Sequence, residues 1–454
     1  MDKWNIIIYI LLIGITLFVG KFLKTTLLFL NKLVLPTALL GGFIGLMLSG
    51  EVIPGSYQID VEVMEAIVYH ALAIGFIALA LKDSEHKEKR KLWSTGMIIT
   101  STYSLQGFIG ILLVMLFFSD RFVGAGLLLP LGFGQGPALA MNFGSMWTNY
   151  LNGYGVALGA SYAFLGFLWG GIIGVFAINL ISRKKGVAKP GHYDEDKSVH
   201  KTTIEIDTVK EISVLDGLTV QIVVISIIYA LVWLTLFVFE KLLALIPGTI
   251  GNTIFGLLSG FNFIIGIMYA LIYKKILARF MKKGRNIRFM TNNYMLSNIS
   301  SLAFNYMIAG GVLTITYAFL SEFGWLLFVI STIGGIATLF YTRFITQRVY
   351  KQYKDEYFVG LYGMLTGVAS TGIALLKGLD RNLESPVPEE LVLGSGTAIA
   401  MALPLFGLLM LPSIAAGGGG ANQALFDMIT MVGCLLYTLV MVVILLFRSR
   451  KKVA

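Results

Sequence analysis

Eleven stretches of about twenty mostly apolar residues fill much of this chain and constrain its fold more than any other feature. A helix of about twenty apolar residues crosses the hydrocarbon core of a bilayer. Only 13% of the residues are charged, whereas soluble globular chains carry about 25%. The sequence therefore predicts an all-α polytopic membrane protein. Its predicted spans lie at about 4–22, 33–50, 66–81, 94–118, 155–182, 217–239, 251–273, 294–319, 324–342, 392–412 and 425–447.

Two further apolar segments, at about 123–147 and 358–379, remain outside these spans. Lys and Arg concentrate on the cytoplasmic side of membrane proteins. If both segments are re-entrant hairpins that enter and leave the membrane on one side, 32 of the 35 Lys and Arg residues fall on the inner side. This topology predicts an outer N-terminus and a cytoplasmic C-terminus in the cell (plasma) membrane. It also accounts for the net charge of +10 without a nucleic-acid partner.

Small residues interrupt both leftover segments. In the first, Gly132, Gly134 and Gly136 precede Pro137, and the second contains the run YGMLTGVASTGIAL. Glycine lets the backbone turn, and proline cannot continue a helix. Irregular backbone at membrane depth is stable only where protein or a water-filled cavity satisfies its polar groups. The pattern predicts two broken helices whose tips form one ligand site. The alternative is that the glycines allow close packing of unbroken helices.

The predicted topology contains an inverted repeat, which is typical of secondary transporters. Four spans and a hairpin in the first half recur upside down in the second half. The predicted organisation is an N-terminal extra span (1–32), a first repeat (33–182), a cytoplasmic linker and connecting span (183–250), a second repeat (251–412), and a C-terminal extra span with a basic tail (413–454).

Neutral polar residues are the candidate ligand-binding groups, because no Asp, Glu, Lys or Arg lies deep within a predicted span or hairpin. Proton relays usually need such a group, whereas hard cations accept oxygen ligands, so the pattern favours sodium coupling. Interhelical hydrogen bonding is the alternative role for these side chains. The candidates are Gln106, Gly132, Gly134, Gln135, Gly136, Asn142, Asn298, Ser301, Asn305, Thr366, Gly367, Ser370, Thr371 and Gly372.

The chain resembles the sodium/glutamate symporter family of bacteria over nearly its whole length. The segments that carry the resemblance are FLNKLVLPTALLGGFIG, LQGFIGI, the first hairpin, VALGASYAFLGFLWGGIIG, NISSLAFNYMIAGG and GVASTGIAL. The resemblance implies two five-helix repeats with re-entrant hairpins and a homodimer. It also implies sodium-driven uptake of glutamate, in which a hairpin-bearing part moves against a dimerising scaffold.

The hairpin tips depart from the family pattern, which leaves the substrate open. Ala369 to Gly372 stand where the family usually carries a Thr-Pro-Thr-Ala type of tip, and Ser331 stands where a glutamine is common. Phe133 and Gln135 occupy a tip that is often richer in glycine or contains histidine. The alternatives are a sodium-coupled importer of another small carboxylate, and a channel or membrane receptor built on a transporter fold. The sequence lacks the common catalytic motifs of membrane enzymes and predicts no cofactor besides Na⁺ as the coupling ion.

Overall fold

The computed structural model describes residues 5–27, 36–82, 93–185, 217–245, 255, 258–260, 262–283, 290–380, 385–420 and 422–451. Within these ranges the chain consists of helices and turns, without a strand. The predicted linker is outside the described residues from 186 to 216.

Sixteen α-helices are named here in chain order. They are α1 (Asn5–Thr26), α2 (Thr37–Leu48), α3 (Val61–Leu81), α4 (Trp93–Phe117), α5 (Gly124–Gly134), α6 (Pro137–Met146), α7 (Gly155–Leu168), α8 (Gly174–Lys185), α9 (Gly217–Leu243), α10 (Asn262–Lys282), α11 (Asn293–Leu313), α12 (Tyr317–Val349), α13 (Lys354–Leu365), α14 (Ala369–Leu376), α15 (Val387–Gly417) and α16 (Gln423–Lys451). A π-helical turn at Trp169–Ile173 joins α7 to α8, and a 3₁₀ turn at Thr148–Tyr150 follows α6.

Eight helical segments of the described chain are long and apolar enough to cross a bilayer: α1, α3, α4, the continuous α7–α8 segment, α9, α12, α15 and α16. Two shorter apolar helices, α2 and α5, accompany them. Membrane helices satisfy all their backbone hydrogen bonds internally, which a bilayer demands. The prediction of an all-α polytopic membrane protein is confirmed.

Local capping residues set several helix boundaries. The side chains of Asp60, Asn292 and Thr316 each accept a hydrogen bond from the backbone N–H three residues later, at the starts of α3, α11 and α12. Such caps satisfy N–H groups that have no partner within the helix. The cap at Thr316 divides α11 from α12 earlier than the predicted boundary between 319 and 324. Helix α10 is described from Asn262, and residues 255 and 258–260 of the predicted span at 251–273 are also helical.

The helices pack in two groups. One contains α1, α2, α3, α9, α10 and α11, with α3 lying along α11. The other contains α4 to α8 and α12 to α16, and α4 contacts α5, α12, α15 and α16 within it. An apolar cluster that includes Val68, Met141, Val156 and Met307 joins the two groups. Helix α4 therefore forms the centre of the group that contains both predicted hairpins.

The C-terminal helix α16 packs along α4 and is thus part of this second group. The Ser104 hydroxyl donates to the Cys434 carbonyl at 2.7 Å, and the Thr438 hydroxyl donates to the Ser101 carbonyl at 3.4 Å. Asp427, near the start of α16, is only 8% exposed and accepts a hydrogen bond from Gln423.

Candidate functional site

The first predicted hairpin is a broken helix in the structure. Helix α5 ends at Gly134 and α6 begins at Pro137, which has no N–H to leave unpaired at a first helical position. Between them Gly136 takes φ +85° and ψ 173°. This conformation is essentially restricted to glycine. The glycine–proline sequence therefore determines where the helix breaks.

The second predicted hairpin also contains a break. Helix α13 ends at Leu365 and α14 begins at Ala369. The Thr366 hydroxyl donates back to the Tyr362 carbonyl at 2.8 Å, and Val368 is extended at φ −139° and ψ 171°. Because a threonine hydroxyl bonded to its own helix competes with the backbone ladder, it favours a helix end at this position.

The two breaks lie against each other, although more than two hundred residues separate them in the sequence. A Cβ atom on Gly136 would lie 3.0 Å from Val368 Cγ1. Gly166 of α7 lies between the breaks, since a Cβ there would be 2.7 Å from the Thr366 carbonyl oxygen and 3.0 Å from Phe133 Cδ1. The breaks approach this closely because Gly136 and Gly166 have no side chain at these contacts.

Gln106 of α4 connects the two breaks. Its side-chain Nε2 donates to Thr338 Oγ1 of α12 at 2.9 Å and to the Leu365 carbonyl at 3.0 Å. Its Oε1 would lie 3.4 Å from a Cβ on Gly134. The Gln106 side chain is only 1% exposed. It therefore contacts the end of α13 with one atom and faces the end of α5 with the other.

Two buried polar atoms of residues at the breaks, Gln106 Oε1 and Gln135 Nε2, have no hydrogen-bond partner. On the neighbouring helix α7, Ser161 Oγ and Tyr162 Oη are also buried without a partner. An unpaired buried polar atom costs about 1–3 kcal/mol. None of the residues that these contacts bring to the breaks carries a formal charge. The arrangement offers both donors and acceptors to a polar ligand without a fixed charge.

Two contacts of small residues make the second break compact. Gly363 packs against Gly372, where an added Cβ would lie 3.0 Å from the Gly372 Cα. A Cβ on Gly367 would lie 3.0 Å from Thr371 Oγ1, and Thr371 is 3% exposed. Ser370 belongs to α14, but its side chain is outside the described part of the structure. The position of its hydroxyl stays a prediction.

The π-helical turn between α7 and α8 faces the second break. A Cβ on Gly170 would lie 2.8 Å from Thr366 Oγ1 and 3.7 Å from Thr371 Cγ2. The Tyr362 hydroxyl donates to the Trp169 carbonyl at 3.4 Å. Single π-helical turns occur frequently at functional sites. No residue in this turn was among the sequence-based candidates.

Glu322 of α12 holds together the two ends of the first broken helix that are remote from the break. Its carboxylate accepts hydrogen bonds from Arg121, which precedes α5, and from Asn152, which follows α6, the latter at 2.5 Å. The Arg121 guanidinium also lies 5.1 Å from the centre of the Phe323 ring. These residues, with Asp120, Phe122, Tyr150 and Leu151, line a cavity of about 230 Å³.

Other candidates occupy different surroundings. Asn142 of α6 is 4% exposed, and its amide lies 3.7 Å from the Met146 sulfur. Asn298, Ser301 and Asn305 share one face of α11 as predicted, but that face is exposed. No described hydrogen bond connects these three side chains to the breaks, so their contact with a ligand stays a prediction. The buried hydroxyl on α11 is that of Ser300, which donates to the Gly75 carbonyl at 3.0 Å.

The structure adds residues that sequence reasoning missed. The Tyr103 hydroxyl donates to the Gly134 carbonyl at 2.8 Å, which satisfies a backbone group at the end of α5. Thr338 and Gly166 also lie at the breaks, and Tyr162 packs against Gly132 of α5. Tyr103 and Gln106 lie three residues apart on α4, a spacing that places them on one helical face. That spacing was the available sequence signal for Tyr103.

Comparison with known proteins gives one family match. The sequence profile described as sodium/glutamate symporter matches residues 3–379. The matched region includes both helix breaks and ends before α15 and α16. No curated protein and no solved structure matches the chain.

Proposed function

The chain belongs to the sodium/glutamate symporter family, and on this premise we propose that it is a secondary transporter that carries glutamate, or a similar anionic amino acid, into the cell together with Na⁺. The observation that carries the proposal is the meeting of two helix breaks around unpaired neutral polar groups. Half-helix ends and irregular backbone at a shared depth are typical of substrate and ion sites in secondary transporters.

The electrostatics of the site support co-transport of a cation with an anionic substrate. A glutamate anion would enter surroundings in which the contacting residues have no formal charge. Transfer of an isolated anion into a low-dielectric site is costly unless it is paired. A co-bound Na⁺ supplies the opposite charge, and backbone carbonyls and hydroxyls near the breaks are the kind of oxygen ligands it accepts.

The helix contacts support an inverted repeat and transport by alternating access. If α2 is exchanged with α10, α3 with α11, α4 with α12 and α7 with α15, two pairs of helix contacts are preserved: α2 packs on α11 as α10 packs on α3, and α4 packs on α15 as α12 packs on α7. Under this exchange α5–α6 corresponds to α13–α14. We propose that both pairs are re-entrant hairpins, and that the group of helices containing them moves against the group around α3 and α11.

The topology proposed for this transporter follows the distribution of Lys and Arg. It places Arg121, Asn152 and Glu322 on the outer side and the basic end of α16 in the cytoplasm. A homodimer is proposed from family membership.

Uptake into proteoliposomes tests the proposed function. The purified protein should accumulate labelled glutamate when an inward sodium gradient is imposed. Accumulation should continue when the proton gradient is collapsed with an ionophore. Uptake that needs the proton gradient and proceeds without sodium would contradict the proposal. Fluxes far faster than carrier turnover would indicate a channel instead.

A further inference from the structure

The orientation of the Gln106 amide is fixed by its two partners. The Thr338 hydroxyl already donates its hydrogen to the Gly334 carbonyl at 2.7 Å, so Thr338 Oγ1 must accept from Gln106. The Leu365 carbonyl can only accept. Both partners therefore require the NH₂ group of Gln106, and the opposite atom must be the carbonyl oxygen Oε1. This assignment follows from the hydrogen-bond network.

The free atom of Gln106 is consequently a buried acceptor. Its Oε1 has no partner and lies beside Gly134, at the first break. The nearest hydroxyl on the same face of α4 belongs to Tyr103, and that hydroxyl donates to the Gly134 carbonyl at 2.8 Å. The protein thus fixes the acceptor Gln106 Oε1 at the break, and the neighbouring donor, the Tyr103 hydroxyl, is already bonded to the Gly134 carbonyl.

Gln135 supplies the complementary group one residue further along the chain. Gln135 itself lies in the break, between Gly134 and Gly136, and its Nε2 is buried and has no acceptor. One fixed acceptor and one unpaired donor therefore flank the same short segment of backbone. An α-amino acid carries an ammonium donor and a carboxylate acceptor on a single carbon. A simple dicarboxylate carries acceptors only.

We infer that Gln106 Oε1 accepts a hydrogen bond from the α-ammonium group of the substrate and that Gln135 Nε2 donates to its α-carboxylate. Gln106 and Gln135 together then select α-amino acids over dicarboxylates of the same length that lack the ammonium group. This inference rests on the proposed function, because it assigns the recognition of the substrate at the site formed by the two breaks. A ligand with a ketone in place of the ammonium group would set its oxygen against Gln106 Oε1, acceptor against acceptor.

The test compares the affinities of L-glutamate, 2-oxoglutarate and glutarate, measured by calorimetry or scintillation proximity on purified protein at one saturating sodium concentration. Wild-type protein should prefer glutamate. Gln106→Met should weaken glutamate binding roughly tenfold to a hundredfold, the loss expected for a charge-assisted hydrogen bond to a buried acceptor. It should leave 2-oxoglutarate and glutarate unchanged or bound more tightly. Gln135→Met should weaken all three ligands by a similar factor, since each has a carboxylate at that end.

Thr342→Val is the matched control. Thr342 lies one turn beyond Thr338 on α12, is buried, and donates to carbonyls of its own helix, at 2.7 Å for that of Thr338. The variant removes a buried hydroxyl without touching Gln106, so the preference for glutamate should persist. A ratio of affinities does not depend on the active fraction of protein, so partial misfolding cannot imitate the expected result.

Three outcomes would overturn the assignment. They are a glutamate preference that survives in Gln106→Met, an equal loss for all three ligands in that variant, and an equal loss of preference in Thr342→Val. A changed sodium dependence with an intact preference would also overturn it, because it would make Oε1 an ion ligand. Failure of the wild-type protein to bind any of the three ligands would instead count against the proposed function.

Discussion

Replacing Gly136 by alanine tests whether the contact between the two breaks controls substrate affinity. Gly136 has φ +85° and ψ 173°, and a residue with a Cβ in this region costs on the order of 1–3 kcal/mol. The new Cβ would also lie 3.0 Å from Val368 Cγ1, so the breaks would have to separate by a few tenths of an ångström. Both effects disfavour the closed arrangement of the two tips.

The expected loss of affinity follows from this strain. In the proposed mechanism the tip at residue 136 opens when no ligand is bound, which relieves the strain of the alanine. The strain must then be overcome when the ligand closes the site. Since about 1.4 kcal/mol corresponds to a factor of ten, Gly136→Ala should weaken glutamate binding by roughly five- to a hundredfold while the protein still folds. Equilibrium binding to purified, monodisperse protein measures this directly, and a thermal melt reports the folded state.

Gly55 provides the matched control for the cost of placing a residue with a Cβ at positive φ. It has the same φ of +85° but no atom within 4 Å of an added Cβ. Gly55→Ala should therefore lower thermal stability slightly and leave binding unchanged. The double variant Gly136→Ala/Val368→Ala should recover part of the affinity, because it removes the contact but keeps the backbone strain. Wild-type glutamate affinity in Gly136→Ala, or an equal loss in Gly55→Ala, would refute the reasoning.

Three further predictions concern topology, the outer ends of the first broken helix and the second break. A cysteine at Asp120 should react with an impermeant thiol reagent from outside, and one at Lys351 only from inside; the opposite labelling of either would break the proposed topology. Glu322→Ala should lower the melting temperature, and exchanging the charges of Arg121 and Glu322 should restore part of it. The expected coupling energy between Arg121 and Glu322 is at most about 1 kcal/mol, because the pair is partly exposed to solvent. A charge-exchanged variant that is as unstable as Glu322→Ala would exclude this coupling. Thr371→Ala should weaken glutamate or sodium binding about tenfold without loss of folded protein, whereas unchanged affinities for both would remove this hydroxyl from the site.

The positions of the breaks could be predicted because they depend on local chemistry. Glycine and proline at residues 136 and 137 restrict the backbone whatever surrounds them, and the structure breaks the helix there. The meeting of the two breaks followed from a topological argument, and the structure places Gly136 against Val368. Gln106 was identifiable as an amide at membrane depth. Its two partners were not, because Thr338 and Leu365 come from helices whose relative positions only the tertiary packing determines.

The polar face of α11 shows where periodicity stops being informative. Asn298, Ser301 and Asn305 share a face by spacing alone, but spacing does not tell which neighbour that face meets. The structure buries Ser300 instead, on the face toward α3. Polar side chains at membrane depth need hydrogen-bond partners from protein or water. Their spacing does not tell whether a ligand, another subunit or solvent provides those partners.

The glycines of the first segment divide between the two roles that the sequence had presented as alternatives. Gly132 is a packing glycine, because a Cβ there would lie 2.6 Å from Tyr162 Cβ on α7, and Gly134 packs against the Tyr103 ring. Only Gly136 has a backbone conformation that demands glycine. Packing at the first two positions brings α5 close to α4 and α7, which places Gln106 beside Gly134 and Tyr162 beside Gly132. Close packing and a glycine-only backbone turn are thus consecutive requirements along one segment: the first two glycines bring the helices together, and the third permits the turn between α5 and α6.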